Sequence, residues 1–417
     1  MLFSDITILD EGFQTKKHQY VLTEGPWIKS VSDTPPQGYE GELYCGKNKL
    51  LFTGLYNLHT HAAMTLLRGY GEGLPLARWL TERVFPFEAK MTEEDAYFGA
   101  LLGFAEMIRC GTVSASDMYL FPDAVARAAV DSGIKLNLAA PGGAEQAPAW
   151  HGAADGRIRR DAYLHSEYTT TENEAREQAE LARAYHLGYQ VHLSETKAEH
   201  EACKARHGGL TPAQYLASLG VFDVPVTAAH CVWLEEKDRD LFAQCGATIA
   251  HCPQSNLKLG SGIAPVVEYL RRGLSVGIGT DGACSNNNLD LLEEMQDASL
   301  LMKGSTGDPA LGDAPQVLRM ATAAGASAQQ REHCGALKAG NRADLVVVDM
   351  DTPAFLPFLD AANSLLYAAN SRDVVLTMAD GKVLFRDGEF CTLDIHGVMA
   401  QCSKRFARIA AQMKENA

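Results

Sequence analysis

The feature that most constrains the fold is a repeated alternation, between residues 54 and 340, of short apolar segments with longer, helix-length segments. VSASDMY is followed by the helix-like PDAVARAAVDSG and then by the apolar IKLNLAA. The later apolar segments are YQVHLSE, VPVTAAHC, ATIAHCP and SVGIGTDG. This alternation predicts parallel strands joined by helical crossovers, and the number of units suits a closed (β/α)8 barrel.

The two ends of the chain have a different pattern. The N-terminal part predicts short strands, broken most clearly by the turn-rich SDTPPQG at residues 32–38. Near the C terminus, VVLTMADGKVLFRDGEF predicts a hairpin that turns at Asp380-Gly381. We therefore predict a barrel over residues 54–340 and a small β-rich, sandwich-like domain built from residues 1–53 and 341–417.

Charge and composition exclude several classes of partner. The 52 acidic residues outnumber the 37 Lys and Arg, and the net charge of −15 would repel nucleic acid and anionic membranes. The start MLFSDITILDEGF lacks the basic flank and apolar core of a secretory signal, and no apolar run approaches the ~18 residues of a membrane span. The ten cysteines include no CxxC pair, which favours reduced thiols. We expect a cytoplasmic protein with a small-molecule partner, and its sequence is compatible with a homo-oligomer.

Several of the apolar segments end in polar side chains, at the place where a barrel of this type carries its active site. These side chains are His59 and His61 in LYNLHTH, His192 and Glu195 in YQVHLSE, His230 in VTAAHC and Asp281 in VGIGTDG. By itself, each is compatible with an ordinary core histidine or a turn aspartate. Together they supply nitrogen and oxygen donors for one divalent ion, and imidazoles with a carboxylate suit zinc.

These segments also carry a family resemblance. LYNLHTHAAMTLLRG, VHLSETKAEH, AAHCVWL, HCPQSNLKLGSGIAP and GTDGACSNNNLDLLEEM resemble the deaminases of the amidohydrolase superfamily, above all the S-adenosylhomocysteine/5′-methylthioadenosine deaminase family. The resemblance covers nearly the whole chain. It implies a TIM barrel of the metal-dependent hydrolase type that releases ammonia from an adenine nucleoside, namely 5′-methylthioadenosine, adenosine, 5′-deoxyadenosine or S-adenosylhomocysteine.

The resemblance also implies roles for individual residues. It assigns the metal to His59, His61, His192 and Asp281. It assigns proton transfer and control of the attacking water to Glu195 and His230, with Asp281 also accepting a proton. Such chemistry is physically reasonable, because bound zinc lowers the pKa of water to about 7 and a nearby carboxylate can then relay protons. DAYLHSEY offers no lysine that could be carbamylated to bridge two metals, so we expect one ion per chain, Zn²⁺ or alternatively Fe²⁺.

Further residues match positions that the family uses for the substrate. They are Trp79, Glu88 and His165 near the nucleoside and its ribose, Ser285 after the metal aspartate, and Glu195 itself. On spacing alone, a solvated helix acid is the better interpretation of Glu88, and His165 is equally well a structural histidine. We expect His251, Ser255 and Asn256 of HCPQSNLKLGSG to shape the rim or to order its loop.

One difference from the family bears on the substrate. Relatives that accept S-adenosylhomocysteine carry arginines after the third strand, whereas IKLNLAA here runs into PGGAEQAPAW, and the next arginines are Arg157, Arg159 and Arg160. A nucleoside with a small or apolar 5′ group is therefore at least as good a candidate.

Two alternatives remain open. The first is a deaminase of a guanine, pterin, cytosine or triazine ring, for which Glu88 would have no ribose to hold. The second is a non-catalytic barrel, which has no physical need for four convergent ligands.

Overall fold

The structure is a computed structural model that describes residues 1–142 and 149–415. Residues 143–148, which include most of the arginine-free segment that follows IKLNLAA, lie outside the described residues. The chain begins with five strands: β1 (Leu2–Leu9), β2 (Thr15–Glu24), β3 (Trp27–Ser32), β4 (Leu43–Cys45) and β5 (Lys49–Thr53). Residues 33–42, which contain most of the turn-rich segment SDTPPQG, separate β3 from β4 and have no regular secondary structure.

Eight parallel strands then form the barrel in the order of the sequence. They are β6 (Leu55–Thr60), β7 (Thr112–Met118), β8 (Lys135–Ala139), β9 (Ile158–Leu164), β10 (Tyr189–Leu193), β11 (Val226–His230), β12 (Thr248–His251) and β13 (Ser275–Ile278). The segment after β13 meets β6, where the Asn57 side chain accepts a hydrogen bond from the Thr280 amide at 3.1 Å. The predicted (β/α)8 barrel is thus confirmed.

Helices connect and surround these strands. They are α1 (Leu76–Trp79), α2 (Phe85–Glu88), α3 (Glu93–Arg109), α4 (Pro122–Ser132), α5 (Glu172–Tyr185), α6 (Lys197–Arg206), α7 (Pro212–Ser218), α8 (Glu236–Cys245), α9 (Pro253–Lys258), α10 (Val266–Arg271), α11 (Leu291–Thr306), α12 (Ala314–Arg319), α13 (Gly325–Ala328), α14 (Ala361–Tyr367) and α15 (Ile395–Glu415). Threonines 92, 171 and 196 start α3, α5 and α6 with reciprocal capping boxes, which satisfy backbone amides that have no partner within the helix.

The C-terminal strands complete the sheet that the N terminus begins. They are β14 (Leu345–Asp349), β15 (Val374–Ala379), β16 (Lys382–Arg386) and β17 (Glu389–Phe390). Strand β14 runs antiparallel to β5, with Val347 opposite Leu51, so both ends of the chain share one nine-stranded sheet. The β15–β16 hairpin turns at Asp380-Gly381, as the sequence predicts. The exact domain bounds stay a prediction.

Helix α15 was not predicted from the sequence, and it packs against α3 of the barrel. Val398, Cys402 and Ile409 are buried on one of its faces. Beside this apolar face, Arg405 and Arg408 pair with the fully buried Asp95 at the start of α3. The final segment of the chain therefore attaches to the barrel through both apolar contacts and buried ion pairs.

Two sequence expectations concern other properties of the chain. Within residues 1–142 and 149–415, no helix is both long and apolar enough to cross a membrane. All ten cysteines are free thiols, as expected from their spacing.

Candidate active site

Four of the predicted ligands meet at the carboxyl end of the barrel. The Nε2 atom of His61 lies 3.2 Å from Nε2 of His192 and 3.2 Å from Oδ1 of Asp281. The Nε2 atom of His59 lies 3.5 Å from the same aspartate oxygen. These side chains come from β6 and the residue that follows it, from the end of β10 and from the segment after β13, so parallel strands far apart in sequence bring them together.

Backbone carbonyls orient two of the imidazoles. The Nδ1 atoms of His61 and His192 face the carbonyl oxygens of Met118 and His165, the second at 2.6 Å. Each ring therefore donates from Nδ1 and presents the Nε2 lone pair to the centre, which is the usual arrangement for a ligating histidine. The Nε2 atom of His59 is buried and has no hydrogen-bond partner within the described residues.

This geometry fits one divalent metal ion. Tetrahedral zinc with bonds of about 2.0–2.1 Å keeps its ligand atoms roughly 3.3 Å apart, close to the 3.2–3.5 Å separations of the Nε2 and Oδ1 atoms. Buried lone pairs held this close without a cation would repel one another. The donor set, three imidazoles and one carboxylate, is one that zinc accepts.

Asp281 is held as a carboxylate. Burial by itself would raise its pKa, but the interactions with His59 and His61 outweigh burial and hold the pKa well below its usual range. The hydroxyls of Ser255 and Ser285 donate to Oδ2 at 2.6 and 2.8 Å, which leaves Oδ1 facing the imidazoles. Ser285 thus lies behind the aspartate and off the cavity wall, and its contact with substrate stays a prediction.

Glu195 and His230 form a second pair beside the donors. Oε2 of Glu195 lies 3.7 Å from Nε2 of His230, and the Ser261 hydroxyl donates to Oε1 at 3.1 Å. Burial raises the pKa of Glu195. Burial lowers the pKa of His230, but the carboxylates of Glu195 and Asp281 outweigh it and raise that pKa overall. A carboxyl group and an imidazole with such shifts can exchange protons with a substrate near neutral pH.

Asn256 fixes the orientation of the His230 imidazole ring. His230 donates from Nδ1 to the Asn256 side-chain oxygen at 2.8 Å, so Nε2 faces the cavity. The sequence indicated only a rim or loop role for Ser255 and Asn256. The structure places both against site residues, and their position at the end of the segment HCPQSN, which begins with His251, was the sole sequence signal.

The backbone at the strand ends is unusual. Ser194, His230 and Asp281 all have a positive φ, between 49° and 69°. Residues other than glycine rarely adopt this left-handed region, and such residues cluster at functional sites. Gly279 also has a specific role, because a Cβ atom there would lie 2.9 Å from the His59 Cβ and would push β13 away from β6.

A cavity of about 430 Å³ opens from these groups toward solvent. The predicted site residues that line it are His61, Trp79, Glu88, His165, His192, Glu195, His230 and Asp281. His59 is 2% exposed and lies beneath the other donors. The rest of the wall is largely apolar and includes Leu76, Leu80, Val84, Phe85, Met118 and Leu259, together with Tyr119, Tyr163 and Tyr168.

A π turn places Trp79 and Glu88 on the same wall. The two residues are nine positions apart, a spacing that puts side chains on opposite faces of a regular α-helix. Residues Leu80–Val84 form a π turn between α1 and α2. Because such a turn contains one extra residue, Glu88 is rotated back by about 100° and approaches the face of Trp79.

Glu88 and His165 lie in the outer part of the cavity. Burial raises the pKa of Glu88, although the Tyr119 hydroxyl and His61 oppose the shift. Nδ1 of His165 lies 2.7 Å from the Thr169 hydroxyl, and burial lowers the pKa of His165 to about 4. A neutral imidazole and a carboxyl group can together bind the hydroxyl groups of a sugar.

This fold and donor set define the class of metal-dependent hydrolases built on a (β/α)8 barrel. The model of the amidohydrolase family matches residues 50–384, and the chain belongs to that family. It is 42% identical to the 5-methylthioadenosine/S-adenosylhomocysteine deaminase of Dictyoglomus thermophilum, over 91% of this chain and 92% of that protein. It is likewise 42% identical to the 5′-deoxyadenosine deaminase of Methanosarcina mazei, over 88% of each chain.

A solved structure is also similar over nearly the whole chain. It is an adenosine deaminase from Xanthomonas campestris with bound zinc, which superposes with a TM-score of 0.92 at 29% identity and 98% coverage of both chains.

Proposed function

We propose that this enzyme hydrolyses the exocyclic amine of the adenine base in a nucleoside, giving the inosine analogue and ammonia. The observation that carries the proposal is the convergence of four metal donors with Glu195 and His230 at the inner end of a cavity whose outer wall holds Glu88. The names of the relatives support the same reaction. The cytoplasmic location and a possible homo-oligomer remain predictions from the sequence.

We infer that His59, His61, His192 and Asp281 hold one zinc ion, with ferrous iron as the alternative. A divalent metal in such a site acts as a Lewis acid and lowers the pKa of water to about 7. Water adds to C6 of adenine and the C6–N bond breaks. Glu195 takes one proton from the water and delivers it to the ring nitrogen, which keeps that proton in the product. The hydroxyl formed at C6 gives up the second proton, which Asp281 accepts and passes to the leaving amine, so the products are the 6-oxo base and ammonia.

His230 acts next to Glu195 in this proposal. Its Nδ1 proton is held by Asn256, so Nε2 is the ring atom that faces the substrate. From there it orients the attacking water or donates a hydrogen bond to the oxygen that forms at C6. Asp281 remains ionised, so it can accept a proton in turn.

Recognition of the nucleoside would depend on the outer cavity. We assign Glu88 and His165 to the ribose hydroxyls and Trp79 to the apolar wall around the nucleoside. Residues Leu76, Leu80, Val84 and Phe85 add apolar surface next to Trp79 and Glu88. This lining suits a hydrogen atom, a hydroxyl or a methylthio group at the 5′ position.

Replacement of Glu88 by alanine tests the ribose assignment. We expect kcat/KM for an adenine nucleoside to fall. The loss of transition-state stabilisation should be about 2–4 kcal/mol, because charge-assisted hydrogen bonds in a cavity are lost. Any activity on free adenine should change little. Glu82→Ala is the matched control, since Glu82 lies in the same helical segment but is exposed and pairs with Arg78. Equal losses for nucleoside and free base would contradict a ribose contact.

The 5′ group is tested by ammonia release from a substrate panel. We expect S-adenosylhomocysteine to be no better a substrate than 5′-methylthioadenosine, adenosine or 5′-deoxyadenosine. No lysine or arginine among the described residues lines the cavity, and residues 143–148 contain none. The carboxylate of S-adenosylhomocysteine would therefore lose its water without gaining a cationic partner.

The arginines nearest in sequence have other partners. Arg157 and Arg160 donate to backbone carbonyls, and Arg159 donates to Gln330. All three lie at the beginning of β9, whereas the cavity is at its end. A clear preference for S-adenosylhomocysteine would contradict the predicted order of substrates. Activity on free guanine, cytosine or a pterin, with none on any nucleoside, would overturn the adenine-nucleoside proposal itself.

A further inference from the structure

The segment that carries Glu195 joins strand β10 to helix α6. It consists of residues 194–196, in which Ser194 is the first residue after the strand and Thr196 is the N-cap of the helix. We call this segment the Glu195 turn. Ser194 has a φ of 49°, in the left-handed region that costs free energy for any residue other than glycine. Such a conformation persists only where neighbouring groups fix it.

The side chain of Glu199 supplies contacts that fix this conformation. Its Oε1 accepts a hydrogen bond from the Ser194 amide at 3.1 Å, and its Oε2 accepts one from the Glu195 amide at 2.9 Å. The two amide nitrogens lie immediately before and after the Cα atom of Ser194, so a carboxylate bonded to both restrains the φ and ψ angles between them. Oε2 also accepts from the Thr196 amide at 3.3 Å. Successive amides around a left-handed residue form a concave site for an anion, and Glu199 fills it.

Two other helices show how much of this arrangement a helix cap requires. Glu174 in α5 and Asp95 in α3 hold the same third helical position, and each accepts from the amide and the hydroxyl of the threonine that starts its helix. Among the described residues, neither carboxylate bonds an amide that precedes its threonine. Glu199 holds this position in α6 but reaches the two residues before the N-cap. Its contacts therefore exceed those of a cap.

Glu199 also lies close to the chemistry. It is buried and lines the cavity of the candidate active site. Burial, with a contribution from Glu195, raises the pKa of Glu199 to about 7, and the amides of Thr196 and Glu195 oppose the shift. The hydrogen bonds from the turn thus favour the ionised carboxylate, which is the form that can accept from all three amides.

We propose that Glu199 is a positioning residue for Glu195. By holding the Glu195 turn, it keeps the Glu195 carboxyl group where that group can transfer protons between water and substrate. The inference rests on the proposed function, which gives Glu195 this role. Misplacement of a catalytic group by about 1 Å can lower a rate by about 10²-fold, so release of the turn should have a large effect.

Two substitutions separate positioning from helix capping. Glu199→Gln keeps the shape of the side chain, but it places an NH₂ group against a backbone amide and so cannot hold both Ser194 and Glu195. Glu199→Asp keeps a carboxylate that can cap α6, as Asp95 caps α3, but it is one methylene too short to reach Ser194. We expect both variants to lower kcat about 10- to 100-fold, with little change in KM for the nucleoside or in metal content. The matched control Glu174→Gln loses only a cap and should keep its kcat.

A double variant tests whether Glu199 acts through Glu195. In the Glu195→Gln background, Glu199→Asp should lower kcat no further, because the group that it positions no longer transfers protons. Steady-state ammonia release is measured above the pKa of Glu199, and thermal melting shows that each variant is folded.

The outcomes distinguish this inference from the proposed function. A large effect of Glu195→Gln together with an unchanged kcat in folded Glu199→Asp would overturn the positioning role alone. An equal loss from Glu199→Asp with and without Glu195→Gln, or a raised KM with unchanged kcat, would overturn it as well. A small effect of Glu195→Gln would remove the proton-transfer role of Glu195 and, with it, this inference.

Discussion

Replacement of Glu195 by glutamine is expected to lower kcat by about 10²- to 10⁴-fold, the range typical of general acid–base groups. The amide keeps the shape of the side chain and can still accept the hydrogen bond from Ser261. It cannot carry a proton from water to the base. Metal content should stay the same, because Glu195 is not among the four converging donors.

The measurement is steady-state ammonia release together with elemental analysis of the same preparation. Glu174→Gln is a matched control, since Glu174 also lines the cavity but its carboxylate caps the start of α5 through Thr171. A loss smaller than about tenfold in Glu195→Gln would contradict the assignment and would move the proton transfer to His230.

Replacement of His61 by alanine is expected to remove both metal and activity. His61 Nε2 is within 3.2 Å of two other donor atoms, so its loss leaves an incomplete site. Without the metal, the pKa of water returns from about 7 toward 15.7, and we expect activity to fall by about 10³-fold or more. Chelation of the unmodified enzyme should have the same effect, and added Zn²⁺ or Fe²⁺ should restore activity.

Metal content by elemental analysis checks this prediction. The unmodified chain should carry about one ion, consistent with three imidazoles and one carboxylate around a single centre. His165→Ala is the control for metal content, because His165 lies beside His192 in the same cavity but bonds Thr169. Two tightly held ions per chain, or full metal retention in His61→Ala, would contradict the mononuclear site.

Much of the candidate site could be predicted from the chain because the signals were local. Several of the apolar segments ended at a polar residue, and parallel strands in a barrel bring their carboxyl ends together at one end of the barrel. That reasoning located His59, His61, His192, His230 and Asp281. It could not show that Ser255 and Asn256 would hold Asp281 and His230, because those contacts join residues 26 positions apart through the fold.

Other features were outside the reach of local patterns. Helix α15 has an apolar face, but only the folded chain shows that this face meets α3 and that Arg405 and Arg408 reach Asp95, more than 300 residues away in sequence. The same holds for Ser285, whose position after the metal aspartate predicted a substrate contact. The backbone turn that follows Asp281 directs the Ser285 hydroxyl to the aspartate carboxylate, and a contact of Ser285 with substrate stays a prediction.

The sequence by itself determined the alternation of strands and helices, the identity of the donors and the joining of the two ends in one β-rich region, because hydrophobic period and residue type are local properties. Only the tertiary structure decided the distances between the donor atoms, the burial that raises the pKa of Glu195, and the π turn that brings Glu88 to the same cavity wall as Trp79. These depend on packing between segments that are distant in the chain, where a single inserted residue rotates a side chain by about 100°.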